Sequence, residues 1–187
     1  YACLMKNRMG QVMVAQLNGY LPKKISTPDI DSIINGYSTV SDASAYSYMA
    51  GGHPMYVISF PTVAKSWLYD GSTGIWSQLR SDGITRHIGE FGFSFDDQTY
   101  LVSDYSSGRL YRLAPDVYTD NGAAIVRQLV TENIGVPGQV LLSADKLRLD
   151  MEVGVGLATG AGSGPLIGLE VSRDNGQTWG AQMWKTF

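Results

Sequence analysis

Residues 172–179, SRDNGQTW, carry the types and spacing closest to chemistry: Ser172, Asp174, Gly176, Thr178 and Trp179 fit the Asp-box pattern S-x-D-x-G-x-T-W. That pattern is best known from sugar-cleaving β-propellers, so the reaction to weigh is glycoside hydrolysis. A retaining enzyme of the sialidase type needs a tyrosine nucleophile activated by a carboxylate, an acid/base carboxylate, and arginines that clamp the substrate's carboxylate. Tyrosines and arginines are present, but nothing in their spacing gathers them. The box also accounts for its own residues without a substrate: the aspartate bonds turn N–H groups, glycine adopts positive φ, and the tryptophan packs beneath the turn. The reading is therefore a structural hairpin, with no catalytic residue assigned.

The other candidates reduce to local roles. GVGLATGAGSG, 154–164, lacks the Gly-Lys-Ser/Thr of a phosphate loop and the strand–turn–helix context of a dinucleotide site, so it reads as a flexible connection. His53 and His87 have no ligand at metal-binding spacing, and Asp29/Asp31 and Asp96/Asp97 serve a helix start and a turn rather than an EF-hand. Ser41 before Asp42 reads as turn chemistry, and Cys3, the single cysteine, as a small buried hydrophobe. Neither a cofactor nor a metal is assigned. A net charge of -3 gives no overall basic footprint for nucleic acid, and no apolar run reaches the ~20 residues of a membrane-spanning helix.

The elements that must position these residues are short strands. QVMVAQL, then Asn18-Gly19, then YLPKKI reads as a hairpin. TPDIDSIINGY reads as the only helix, capped by Thr27, started at Pro28, favoured by Asp29 and Asp31, and stopped by Gly36. ASAYSYM, PMYVISF, SWLYD and IWSQL form a four-strand meander, and HIGEFGFSF, TYLVSD, RLYRLA and AAIVRQLV a second. Many aromatics, among them Tyr46, Tyr48, Tyr56, Phe60, Trp67, Tyr69 and Trp76, are what packed sheets require.

A repeat of roughly 40 to 45 residues is the period of propeller blades. The expected fold is all-β: a partial β-propeller of antiparallel four-stranded blades, about two and a half of them in 1–135, with an appended antiparallel sheet or sandwich module in 136–187. In that module KLRLDMEV, 146–153, alternates apolar and charged residues as a strand. Ile167, Leu169 and Val171 alternate in a second strand, and a final one runs through Trp179 and Trp184. Since propellers close with four to eight blades, the remaining ones are expected upstream, in a longer polypeptide of which this is a segment.

The stretch 37–76, YSTVSDASAYSYMAGGHPMYVISFPTVAKSWLYDGSTGIW, resembles the packaged-DNA stabilisation proteins of short-tailed bacteriophages, also called tail hub or tail accessory proteins. The residues that carry the likeness are YSTVSDA, G-H-x-x-Y-V at 52–57, FPT at 60–62, and W-x-Y-D followed by S-T-G-x-W. LVSDYSSGRLYRL, DVYTDNG and SRDNGQTWG follow in the same order. Departures at Ser59, Leu68, Ser77, Arg173 and Asn175 touch no catalytic position. The resemblance implies the C-terminal part of a non-enzymatic virion protein of the phage tail, assembled in the host bacterial cytoplasm. It implies a sixfold ring of copies of itself below the portal and its adaptor, retaining packaged DNA, shaping the ejection channel, and carrying the tail needle or plug and the tailspikes. An acidic balance suits a lumen that DNA passes without sequence-specific binding. Two alternatives stand beside this reading: a propeller that binds host-surface glycan through exposed aromatics, and a sialidase-like glycosidase.

Overall fold

The structure, a computed structural model, describes residues 2–96, 99–114, 116–134, 143, 145–151, 158–160 and 163–186. The chain divides into two compact units, Tyr1–Val117 and Tyr118–Phe187. The expected change of module at 136 falls at 135–142, outside the described residues.

Among its described residues the first unit is built from three antiparallel sheets and one helix. β1 (Ala2–Lys6), β2 (Val12–Asn18) and β3 (Leu21–Lys24) pair in the order β1-β2-β3. The second turn of this sheet is Gly19-Tyr20, and Gly19 takes φ 65°, the left-handed conformation that a two-residue hairpin demands. The helix α1 spans Pro28–Asn35, and the Thr27 side chain accepts the Ile30 N–H at 3.3 Å. It buries Ile30 and Ile34 four residues apart, one stripe of the helix. Asn35 ties the helix to β2 by accepting the Val12 N–H and donating to the Val12 carbonyl, both at 2.8 Å.

β4 (Ser44–Ala50), β5 (His53–Phe60), β6 (Lys65–Asp70) and β7 (Trp76–Leu79) form the four-stranded meander read from the sequence, in the order β4-β5-β6-β7. Because side chains alternate across a sheet, this one has two apolar faces. Ile58 and Phe60, with Tyr56, Trp67 and Trp76, pack against Val12, Val14, Ile30 and Ile34. The two tryptophans that carry this face also satisfy their N–H groups: Trp67 donates to the Tyr37 hydroxyl and Trp76 to the Ile25 carbonyl, each at 2.9 Å. On the opposite face, Tyr46, Val57, Tyr48, Leu68 and Leu79 pack against Val102, Tyr111 and Leu113.

Those last three belong to the next sheet, β8 (Gly89–Ser94), β9 (Tyr100–Asp104) and β10 (Leu110–Leu113), ordered β10-β9-β8. The fourth strand expected from AAIVRQLV does not join it. Asn121 and Gly122, at φ 51° and 91°, reverse the chain and pair β11 (Thr119–Asp120) with β12 (Ala123–Ala124), after which 125–130 runs without regular structure. That local hairpin uses up the start of the expected strand.

In the second unit, β13 (Leu166–Leu169) pairs antiparallel with β14 (Met183–Thr186). The strand expected at 146–153 is not formed over 146–151, and 152–153 lie outside the described residues. Leu147, Leu149 and Met151 are all at least half exposed. Alternation specifies a face only where another layer covers it, and no strand pairs with this segment among the described residues.

Two substitutions test the stacking. Phe60→Ala, at a fully buried ring, is expected to lower unfolding free energy by about 3–5 kcal/mol in denaturant titration. At Gly92 a Cβ would lie 2.5 Å from Tyr46 Cδ2, so Gly92→Ala is expected to cost about 1–3 kcal/mol by overpacking. A variant as stable as the parent would remove Tyr46 as the wedge between the second and third sheets.

Candidate functional site

The Asp-box closes on itself. Ser172 Oγ donates to Asp174 Oδ1 at 2.8 Å and accepts the Gly176 N–H at 2.7 Å, while the Thr178 N–H donates to the same Asp174 oxygen at 2.8 Å. The Thr178 hydroxyl donates to Asp174 Oδ2. Asn175 and Gly176 take φ 59° and 83°. Donation from the Thr178 hydroxyl and N–H and from Ser172 holds the Asp174 carboxyl down at about 2, so it is an acceptor committed to its turn and not a proton donor near neutrality.

Trp179 lies against its turn, its Cζ2 within 3.9 Å of where a Cβ on Gly176 would sit, but the residue stays 45% exposed rather than buried. The two-stranded sheet beside it offers no second layer to bury against among the described residues. The ring lines a groove of about 430 Å³ with Val171, Arg173, Thr178 and Met183.

The same carboxylate cradle recurs twice in the first unit, at the turns between β6 and β7 and between β9 and β10. Between β6 and β7, Asp70 Oδ1 accepts the Ser72 N–H at 2.8 Å and Oδ2 accepts the Thr73 hydroxyl at 2.9 Å, with Gly74 at φ 75°. Between β9 and β10, Asp104 accepts the Ser106 N–H and both the Ser106 and Ser107 hydroxyls, with Gly108 at φ 68°. The signal was legible as D-x-S-[ST]-G at 70–74 and 104–108. Burial pushes the Asp70 carboxyl up, but donation from His53, Ser72 and Thr73 outweighs it and brings it to about 2. Asp104 is brought to about 2 chiefly by the Ser107 hydroxyl and the Ser106 N–H.

The remaining candidates also have local partners. His53 Nδ1 lies 2.8 Å from Asp70 Oδ2, and His87 Nδ1 lies 3.3 Å from Ser81 Oγ. Asp31 pairs with Lys24, Asp42 accepts the Thr62 N–H at 2.7 Å, and Asp96 accepts the Thr99 N–H at 2.6 Å. Asp29 is exposed in the first turn of α1, Cys3 is half-buried, and Asp97 and most of the glycine-rich segment lie outside the described residues. Among the described residues no three His, Cys, Asp or Glu side chains gather as metal ligands.

An arginine, a carboxylate and a tyrosine do meet, at Arg86, Glu90 and Tyr105. Their geometry is that of a packed seam: the Arg86 guanidinium covers the Tyr105 ring at 3.7 Å and binds Glu90 at 2.7 Å, and the other Glu90 oxygen accepts Ser44 Oγ at 2.7 Å. With Arg86 only 6% exposed, no substrate carboxylate reaches the guanidinium.

What the first unit does leave open is the far side of its third sheet. Gly92, Val102 and Tyr111 face the second sheet, so Phe93, Leu101 and Arg112, one register step along, face away. Phe91, Phe93, Phe95 and Leu110 are 63%, 45%, 72% and 58% exposed. A set of antiparallel meanders stacked face to face, their polar turns locked by carboxylates, defines an all-β protein consistent with propeller architecture. The family model described as bacteriophage P22 Gp10, beta-propeller, matches residues 1–118, and the chain belongs to this family of packaged-DNA stabilisation proteins. It is accordingly a structural phage protein, a virion component, and its family is not an enzyme class. No curated protein matches the chain. No helix among the described residues is long and apolar enough to cross a membrane.

The three depressed carboxylates set a pH dependence. Their folded pKa values near 2 lie below the ~3.9 of an unfolded aspartate, so their contribution is complete above about pH 4 and is lost as pH falls through about 2. Thermal unfolding followed by circular dichroism is expected to show the midpoint dropping across that window, with a shallower drop in Asp104→Asn. An unchanged slope in the variant would remove the Asp104 turn as a contributor.

Proposed function

We propose that this chain is part of the tail hub, or nozzle, of a short-tailed phage. In this reading copies form a sixfold ring below the portal and adaptor, close the exit of the head over packaged DNA, and leave a channel for ejection. The needle or plug and the tailspikes attach to the same ring. The propeller portion, 1–135, supplies the wall of the ring, and the Asp-box module, 136–187, supplies a contact surface, with Ser172, Asp174, Gly176, Thr178 and Trp179 as its structural turn.

The observation that carries this is the family match across the stacked sheets of the first unit. Two physical features support it. The net charge of -3 disfavours gripping a phosphate backbone, which suits a channel that DNA must leave. The exposed aromatic face of β8 and β10 and the exposed apolar residues of the second unit are surfaces that assembly would cover.

A second reading, a contact to host-surface glycan, is favoured by one feature: the half-exposed Trp179 ring beside Arg173 in an open groove. Glycan-array binding that is lost in Trp179→Ala would support it over a purely internal role.

Phage carrying a deletion of this protein is expected to fill heads and then lose the DNA, read as empty heads by electron microscopy and as nuclease-sensitive genomes. Complementation restores filled heads and infectivity. Stable, DNA-filled particles without the protein would reject the reading, as would its absence from purified virions.

A further inference from the structure

Four Asn-Gly pairs occur in the chain: Asn18-Gly19, Asn35-Gly36, Asn121-Gly122 and Asn175-Gly176. This dipeptide carries a chemistry of its own. The main-chain nitrogen of the glycine, with no side chain to shield it, attacks the carbonyl carbon of the asparagine side chain. A C–N bond forms, the glycine nitrogen gives up its proton, and ammonia leaves, closing a five-membered succinimide. Water then opens one of the two imide C–N bonds, giving aspartate or isoaspartate. Nothing is oxidised or reduced, and water is the only co-reactant. The step has two structural requirements. The glycine N–H must not be committed to an acceptor, and the asparagine must be free to turn its side chain and its own Cα–C bond until the two atoms meet.

Two of the pairs are denied both. Asn35 closes α1, and its amide accepts the Val12 N–H and donates to the Val12 and Asp31 carbonyls at 2.8, 2.8 and 2.7 Å. The Gly36 N–H is shared by the Ser32 and Ile33 carbonyls, each at 3.1 Å. Inside the Asp-box, the Gly176 N–H donates to Ser172 Oγ at 2.7 Å, and Asn175 Oδ1 accepts the Asn133 amide at 3.1 Å. These bonds must break before any attack, and each one lowers the reactive fraction.

The other two pairs are open. Asn18 and Asn121 are exposed, and among the described residues neither side chain has a hydrogen bond, and neither the Gly19 nor the Gly122 N–H meets an acceptor. Asn18 makes the last pair of β2 with β3, opposite Leu21, and Asn121 sits in the turn of a hairpin only two pairs long. Both ends open at the loss of little structure, which gives each asparagine the rotation that ring closure needs.

We infer that Asn18 and Asn121 are sites of spontaneous deamidation in the folded protein, and that Asn35 and Asn175 are held against it. Each event replaces a neutral amide by a carboxylate in a chain of net charge -3. The isoaspartate product also routes the main chain through the side chain, adding one carbon at a two-residue turn whose length sets the register of its hairpin. The β2–β3 and β11–β12 turns therefore change with age, whereas the end of α1 and the Asp-box persist.

The full-length protein, folded and unmodified at the start, is incubated at mildly alkaline pH and sampled by peptide mass spectrometry, with electron-transfer fragmentation to separate aspartate from isoaspartate. Peptides holding Asn18 and Asn121 are expected to convert several-fold faster than those holding Asn35 and Asn175, and in denaturant the rates are expected to converge. Asn35 or Asn175 keeping pace with the other two in the folded protein would overturn the proposal. The same ranking in denaturant would also overturn it, since neighbouring sequence and not structure would then set the order. Two variants probe the protection itself: Ser172→Ala frees the Gly176 N–H, and Asn133→Ala, at an exposed position, frees the Asn175 side chain while leaving the bonds of the Asp-box in place. Conversion at Asn175 is expected to rise in each, and a rise in Asn133→Ala does not come from loss of the turn. Unchanged rates in both would remove hydrogen bonding as the source of protection and overturn the assignment.

Discussion

A sheet with apolar side chains on both faces cannot stand in water on either side, and the rest of the first unit follows from the fact that β4-β5-β6-β7 is such a sheet. β5 shows the constraint most plainly, since four consecutive residues, Val57 to Phe60, are almost fully buried although they point alternately to opposite sides. One side is covered by β2 and α1 and the other by β9 and β10. The polar residues that the second side cannot avoid are paired inside it. Ser59 and Ser66 share a hydrogen bond at 2.8 Å, and Ser66 Oγ also accepts the His87 N–H at 3.1 Å. Each sheet added to satisfy one face brings a new face of its own, as the exposed Phe91 and Phe93 on the outer side of the third sheet show.

Stacking of this kind needs strands that reverse tightly, because a long loop would carry unsatisfied backbone groups into the seam. The carboxylate turns at Asp70 and Asp104 do this with side chains instead of backbone length. Each aspartate collects N–H and hydroxyl groups of the second and third residues after it, and a glycine at positive φ then returns the chain. Asp174 uses the same chemistry with different spacing, which is why the motif that first suggested catalysis belongs with the turns. A carboxylate held by three or four donors is stabilised as the anion, the opposite of what a general acid requires.

How much of this could be read from residues alone depended on whether the determining interaction was local. The hairpin at Gly19, the helix from Pro28 and the four-strand meander were legible, since their turn residues and alternation act within a few positions. KLRLDMEV alternates as clearly as any strand in the chain, yet its pattern needs a covering layer, and Leu147 and Leu149 stay exposed where none is supplied. AAIVRQLV failed for a different reason: Asn121-Gly122 is a stronger turn than the expected strand is a strand. Trp179 was assigned by motif to a place beneath its turn, but a ring is buried only if something lies on its far side. The aspartate turns are a different case: the shared Asp-x-Ser-[Ser/Thr]-Gly at 70–74 and 104–108 is local and legible, and it does not match the Asp-box spacing.

Apolar faces adhere without specifying order, so something else must register one sheet against the next. At the seam between the second and third sheets that role falls to Arg86, Glu90 and Ser44. Taking an ion pair into a seam costs desolvation that the attraction scarcely offsets, so the group contributes little adhesion of its own. Its effect lies in the alternatives it excludes. Arg86, Glu90 and Tyr105 move together, but sliding β8 by one residue along β4, about 3.3 Å, would take Ser44 from Glu90 and Ser66 Oγ from the His87 N–H, breaking the hydrogen bonds that cross the seam. The open face contrasts with this: Arg112 stands in the Phe93 row but reaches only an exposed Asp116 at 3.6 Å, a loose pair that forbids no register. Adhesion at that face is present in its phenylalanines, whereas the Arg112–Asp116 pair beside them fixes no register.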